Sequence, residues 1–289
     1  SKISTLVGNA SAPSSLAAVV KTVDGSLGLN AASVLSLGAS AEPTTLTVEG
    51  NAATQVGALT TATVSSGLGR GAAAASCQAP TQDIWFSGID TTAGNNEVLF
   101  LNNPDSEDVL VTLTGYTTSG LVTGREDRRI VVPANATVKI DLTLEYPAEK
   151  AVAVRVQSPE GRVAASIGAW SVAGVQARGL SLLNGTSSLA TSAVVAGIDS
   201  NPAESRVDIL SPDEDAIVTV KVSTPDGESN LATATDINLT AGHVKSIALA
   251  KLVLSGAASV EVESTSPVLV AVRQRVQSGD ARDIDIQMA

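Results

Sequence analysis

The chain repeats itself, and that repeat limits what it can fold into more than any other feature. Ile84-Trp85-Phe86-Ser87-Gly88-Ile89-Asp90 lies over Ala193-Val194-Val195-Ala196-Gly197-Ile198-Asp199, each a short apolar run closing on Gly-Ile-Asp. Val98-Leu99-Phe100-Leu101 then corresponds to Val207-Asp208-Ile209-Leu210, and both lead into acidic turns holding Pro104 or Pro212. The match continues from Val109-Leu110-Val111-Thr112-Leu113 and Ala216-Ile217-Val218-Thr219-Val220 to Val132-Pro133-Ala134-Asn135 and Leu239-Thr240-Ala241-Gly242. Val152, Val154 and Val156 stand with Val260 and Val262, and the unit closes on Ala177-Arg178-Gly179-Leu180 and Ala281-Arg282-Asp283-Ile284. The period is about 108 residues, which makes the units domains in a row rather than solenoid elements.

The end of the unit occurs a third time, at Leu46-Thr47-Val48-Glu49, Val64 and Gly69-Arg70-Gly71. Projected back by one period, the opening strand of that unit falls before Ser1, so the unit is expected to be shortened or entered part-way. The expected organisation is an incomplete or divergent first unit over 1–80 and complete units over 83–183 and 188–289.

Each complete unit reads as roughly seven short alternating strands separated by turn residues, an immunoglobulin-like count. Pro104, Pro133 and Pro159 fall at strand boundaries, and Asp226-Gly227 after Val218, Val220 and Val222 is a hairpin signal. Gly71-Ala72-Ala73-Ala74-Ala75 allows a helical turn but is too short to stand alone. The chain is 44% hydrophobic yet only 2% aromatic, so its cores draw on small aliphatic and β-branched side chains, as thin sandwiches do. The expected fold class is all-β, with tandem immunoglobulin-like β-sandwich domains from an internal repeat.

Function is mostly bounded by exclusion. A net charge of −11 repels phosphate backbones, and the scarcity of aromatics removes stacking platforms, so nucleic acid is not an expected partner. His243 is the only histidine, so any Ser-His-Asp or Cys-His device would have to use it, and it reads as an exposed turn residue. Cys77 is the only cysteine and reads as a small, half-buried apolar residue. One of each cannot build a zinc site. The acidic turns Asp105-Glu107-Asp108 and Asp213-Glu214-Asp215 lack the alternating spacing of a calcium loop and read as solvated. Gly67-Leu68-Gly69-Arg70-Gly71 lacks the Gly-Lys-Ser/Thr ending of a phosphate loop and reads as a turn. Trp85 and Trp170 stand within apolar strand patterns and are expected in cores. Arg70, Arg178 and Arg282 recur at one place in each unit and are expected to pair with carboxylates at strand ends. The sequons at Asn9, Asn135, Asn184 and Asn238 carry no weight in a bacterial protein. No catalytic, cofactor-binding or metal-ligating residue is assigned, and no cofactor is expected.

Cys77-Gln78-Ala79-Pro80, Ile84-Trp85-Phe86-Ser87-Gly88 and Leu99-Phe100-Leu101-Asn102-Asn103-Pro104, in that order, carry a resemblance. They resemble an actinobacterial extracytoplasmic family of unknown function marked by Cys-x-x-Pro, Trp-Phe-x-Gly and Leu-x-Asn-Pro. Val132-Pro133-Ala134 and Gly161-Arg162-Val163-Ala164-Ala165-Ser166 fit its later segments. The resemblance implies an exported, membrane-tethered protein, touching the membrane only through an anchor this chain lacks, and no catalytic residues. It also implies a partner for Cys77 upstream of Ser1. The expected function is a non-catalytic scaffold or interaction protein of the cell envelope, with an envelope protein or glycan as partner. The alternative is a carbohydrate- or cell-wall-binding module.

Overall fold

The computed structural model describes residues 2–9, 17–22, 25–30, 34–40, 45–49, 56–123, 128–198, 202–224, 227–230, 235–249, 258–278 and 281–288. Side chains are described at 45–48, 57–123, 128–198, 204–223, 235–249 and 258–275. The described chain is all-β with several sheets.

Strands β1 (Lys2–Asn9), β2 (Ala17–Thr22), β3 (Gly25–Asn30), β4 (Val34–Ser40), β5 (Thr47–Glu49), β6 (Val56–Val64) and β7 (Gly71–Ser76) make two sheets, ordered β4-β1-β6-β7 and β3-β2-β5. The next group is β8 (Asp83–Ile89), β9 (Asn95–Asn102), β10 (Val109–Thr117), β11 (Gly120–Leu121), β12 (Arg128–Val132), β13 (Thr137–Asp141), β14 (Val152–Gln157), β15 (Ala164–Ala173) and β16 (Gln176–Asn184). Its sheets are ordered β11-β10-β14-β8, with β12 also on β10, and β13-β9-β15-β16. A single helical turn, α1 (Leu142–Glu145), follows β13 and is capped by Asp141, whose carboxylate accepts from the Thr143 amide.

The last group is β17 (Ala190–Ile198), β18 (Pro202–Ser211), β19 (Ala216–Thr224), β20 (Gly227–Asn230), β21 (Ile237–Leu239), β22 (His243–Ala248), β23 (Ala258–Ser278) and β24 (Ala281–Met288). The first half of β23 pairs with β19 and β17, and its second half with β18 and β24. The pairing order therefore follows that of β8 to β16 strand for strand. β17, β18, β19 and β22 stand where β8, β9, β10 and β13 stand, and β23 does the work of β14 and β15. The β19–β20 hairpin forms, with Thr224 opposite Gly227, while the turn residue Asp226 lies outside the described residues.

Alternation explains why these segments become half-buried strands. Along β9 every second residue is buried, and Leu99 and Leu101 reach a core that β8, β10, β14 and β15 complete with Phe86, Val111, Val154 and Ile167. A second core holds Val195, Val207, Ile209, Val218, Val220, Val260, Val262 and Val272 in the same arrangement. The second is wholly aliphatic and the first mostly so, with Phe86 and Tyr146 among its aliphatic side chains.

Each group also carries one bulge at its Gly-Ile-Asp segment. Val152 and Val154 of β14 face Ile89 and Phe86 of β8, so Ser87 and Gly88 together oppose one residue. Gly88 has φ +78°, and Gly197, at the matching break in β17, has φ +79°. A side chain is disfavoured in that conformation, which accounts for glycine at both places.

Gly71-Ala75 forms strand β7, not a helical turn: pairing with β6 from Val64↔Gly71 to Leu59↔Ser76 satisfies backbone groups that so short a helix could not.

Leu99 is fully buried, whereas Leu110 on β10, in the other sheet, is 41% exposed. Leu99→Ala is expected to cost about 2–5 kcal/mol in denaturant unfolding, and Leu110→Ala about 0.5 kcal/mol or less.

Candidate functional site: a buried charge network between two groups of strands

The outward face of β18 and β23 is covered by the group that precedes it. Arg206, Asp208 and Leu210 project to that face, between the core residues Val207 and Ile209. Across the strand pair they meet Arg273, Ala271 and Leu269. The covering surface is the outward face of β8, β10 and β14. There Trp85, Tyr116 and Ala153, with Ala151, close over Leu210, Leu269 and Val244. Trp85 and Tyr116 stack with ring centroids 5.9 Å apart, and the Arg155 guanidinium lies 4.5 Å from the Trp85 ring centre while holding Asp83 through two bonds of 2.9 and 2.6 Å. Burial pushes the Tyr116 hydroxyl above its usual range.

Beside this apolar seam lies a network of buried charge. Arg206 donates through Nη1 to Asp90 (3.0 Å), through Nη2 to the Lys150 carbonyl (2.6 Å) and through Nε to both oxygens of Asp208 (3.0 and 3.1 Å). Arg273 enters past the β8 bulge, donating to the Gly88 carbonyl (3.0 Å), Glu97 Oε1 (2.8 Å) and Asn95 Oδ1 (3.3 Å). Arg275 donates to the same Asn95 oxygen and pairs with Glu204 at the rim. Asp90 in turn accepts from the Asn95 amide and from the Thr92 amide and hydroxyl. Side chains of the three main ion pairs are 6% exposed or less.

Burial works to raise the Asp90 carboxyl, but Arg273, the Thr92 hydrogen bonds and Arg206 outweigh it and hold Asp90 below the ordinary carboxylate range. Glu97 differs. It is fully buried, and burial raises it despite Arg273; its Oε2 has no hydrogen-bond partner among the described residues. For Arg206, burial is more than reversed by Asp208 and Asp90, which hold the guanidinium above its ordinary value.

Alternation points Arg206, Asp208 and Arg273 outward, but Glu97 shares the face of Leu99 and Leu101 on β9, a charge at a core-facing position. A second signal exists: Val268-Leu269-Val270-Ala271-Val272 is apolar at five successive positions, the pattern of a strand covered on both faces.

Residues singled out by sequence lie elsewhere or do other work. Trp85 is buried, but between the two groups rather than in either core, and Trp170 is half-buried on the outward face of β15. His243 opens β22 half-buried rather than as an exposed turn residue. Its Nδ1 is 2.9 Å from the Ala241 carbonyl, and its ring stands where a Gly120 side chain would go, so it seals the far end of the seam. Cys77 is exposed after β7, 3.7 Å from the Thr60 hydroxyl, and far in sequence and sheet from His243. The acidic turns are built into the fold: Asp108 accepts from the Ala134 amide and Asp215 from the matching Ala241 amide, while Asp105 holds Arg162 through two bonds. Arg70 and Arg178 meet no carboxylate among the described residues, and the Arg282 side chain lies outside them. Among the described residues no group of three or more His, Cys, Asp or Glu could hold a metal ion, and no helix is long and apolar enough to cross a membrane.

Residues 32–289 match the model of a family described as "Family of unknown function (DUF5719)". No curated protein and no solved structure matches the chain.

Removing Arg206 would strand two buried carboxylates. Arg206→Ala is expected to cost about 3–5 kcal/mol in unfolding stability, whereas Arg162→Ala, at an exposed pair, should cost about 0–1 kcal/mol. The Asp90 contribution also has a defined pH dependence. Because its folded value is lowered, its stabilisation is present above the ordinary carboxylate range and is lost as pH falls through the lowered value. The stability gap between wild type and Asp90→Asn, read from denaturant titrations, should be widest near neutral pH and close on acidification. Glu97 has the opposite sign, so Glu97→Gln should not reproduce that closing gap.

Proposed function

The chain belongs to this family of unknown function, and from that premise we propose that it is a non-catalytic scaffold or interaction protein of the cell envelope, outside the cytoplasm, built from tandem immunoglobulin-like β-sandwiches. The carrying observation is the buried network of Arg206, Arg273, Asp90, Glu97 and Asp208. Ion pairs in such a place are a poor source of stability compared with apolar packing of the same volume. They do impose one relative orientation, because any other strands a charge. A chain that holds two sandwiches in one orientation presents a long surface of set shape, which serves a scaffold and gives a small-molecule enzyme no evident advantage. The matching pairing orders of β8–β16 and β17–β24, with two aliphatic cores, support the tandem reading. The extracytoplasmic setting is supported by composition and by the Cys77-to-Pro104 motifs.

One observation favours glycan binding as the second reading. Phe100 and Trp170 share the outward face of β9 and β15, beside Gly168 and with Lys139 over the Phe100 ring at 5.8 Å. Aromatic faces beside polar groups suit sugar rings.

The test is a pull-down from envelope extract that reads proteins and glycans separately, with wild type, Arg273→Ala and Trp170→Ala as baits. A scaffold is expected to retain protein partners that are lost with Arg273→Ala and kept with Trp170→Ala. Glycan capture abolished by Trp170→Ala would establish the second reading instead. Substrate turnover by the wild-type chain would overturn both.

A further inference from the structure

We propose that the ends of the β6–β7 and β15–β16 hairpins together form a docking surface for an anionic lipid bilayer. The two hairpins lie side by side and point the same way. β7 runs along β16 in the same direction: the Gly71 backbone packs against Leu180, and the Asn184 side-chain amide donates to the Ser76 carbonyl (2.8 Å) and hydroxyl (3.1 Å). Their connections, 65–70 and 174–175, therefore sit at the same end of the paired hairpins.

Each connection lifts an aliphatic side chain into solvent. Leu68 is 52% exposed and Val175 is 89% exposed, the highest value for a large apolar side chain among the described residues. Gly67 and Gly174 turn the chain at φ +83° and +57°, and both have open space where a side chain would go. One exposed aliphatic residue means little on its own. Two at neighbouring tips, each followed by an arginine, make a pattern: Arg70 comes two residues after Leu68, and Arg178 three after Val175.

Charge along the chain is segregated to match. From 50 to 82 there is no Asp or Glu, and Arg70 is the only charge. From 161 to 198 there is again none, and Arg178 shares the stretch only with Arg162, which Asp105 holds beyond the opposite end of β15. Spread evenly, a net charge of −11 would keep the chain off an anionic membrane. Concentrated elsewhere, and screened over a Debye length of about 8 Å at physiological salt, it leaves the tips free to approach. Arg70 and Arg178 meet no carboxylate among the described residues, so lipid phosphates give this recurring arginine the partner that the fold does not. Protruding aliphatic tips suit a fluid plane into which side chains sink, with guanidinium groups a step behind at the headgroups.

Vesicle co-sedimentation of the intact chain tests this, with vesicles of phosphatidylcholine alone and of phosphatidylcholine mixed equally with phosphatidylglycerol. Wild type is expected to pellet with the anionic vesicles only, and less so at raised salt. Arg70→Ala combined with Arg178→Ala should weaken binding by roughly thirtyfold, the effect of two charges at such a surface. Leu68→Ser combined with Val175→Ser should weaken it at unchanged net charge, which electrostatic attraction alone would not do. Neither pair is in a core, so melting curves should stay as in wild type, and if one pair melts early the other decides. Wild type that ignores anionic vesicles, or pellets equally with neutral ones, would overturn the proposal. So would either double variant binding as tightly as wild type. An envelope protein retained by wild type and lost with Leu68→Ser and Val175→Ser, without vesicle binding, would assign the tips to a protein instead.

Discussion

The structure turns on the placement of Arg206 and Arg273 in a site from which water is excluded. Stripping a guanidinium of water costs several kcal/mol, so the arrangement exists only if each N–H finds an acceptor. Arg206 reaches two carboxylates and a carbonyl, and Arg273 reaches a carboxylate, an amide oxygen and a carbonyl. Arg206 and Arg273 face Asp90, Glu97 and Asp208, and Arg275 pairs with Glu204 at the rim. The Gly88 bulge belongs to the same requirement. By breaking the β8–β14 ladder it frees a carbonyl that a regular strand would have committed, and Arg273 takes it.

Much of this was legible in the sequence, and the reason the rest was not is physical. Period-two alternation reports which residues face a core, and it located Leu99, Leu101, Val111, Val154, Val207 and Val260 in strands. It also assigns Arg206, Asp208 and Arg273 to the other face, and there the inference stops, because alternation cannot tell a face that meets water from one that meets another sheet. Trp85 failed for the same reason: its burial was foreseen, its partners were not. The acidic turns were read as solvated, and Glu107, Asp108, Asp213, Glu214 and Asp215 are exposed; what composition could not show is that Asp108 and Asp215 each accept one particular amide. Glycine was the more reliable guide, since Gly88 and Gly197 sit in a conformation that other residues avoid.

The seam and the network do different jobs. Trp85, Tyr116, Leu210 and Leu269 bury apolar area, which is favourable in almost any orientation of the two sheets. The network adds direction. A sliding movement of one strand spacing would keep much of the apolar contact yet leave Arg273 without Glu97 and Gly88.

That division becomes sharper when the same positions are compared on the matching face of the preceding group. The strand pairing moves the sequence match of 98–101 with 207–210 by one residue, so that Val98 opposite Gly168 stands where Arg206 opposite Arg273 stands, and Phe100 opposite Ser166 where Asp208 opposite Ala271 stands. Trp170 opposite Asn96 takes the place of Arg275 opposite Glu204. One face is therefore apolar and aromatic and the other ionic, on strands paired in the same way. The apolar face lies toward earlier residues: Thr45 donates to Asn102, Asn184 donates to Ser76, and Gly69 lies close to Trp170. Exchanging the two faces would part Arg206 and Arg273 from Asp90, Glu97 and the Gly88 carbonyl, at a cost of several kcal/mol for each charge left unpaired. Two groups of strands paired in the same order risk docking in the wrong way, and a charged junction makes the wrong docking the expensive one.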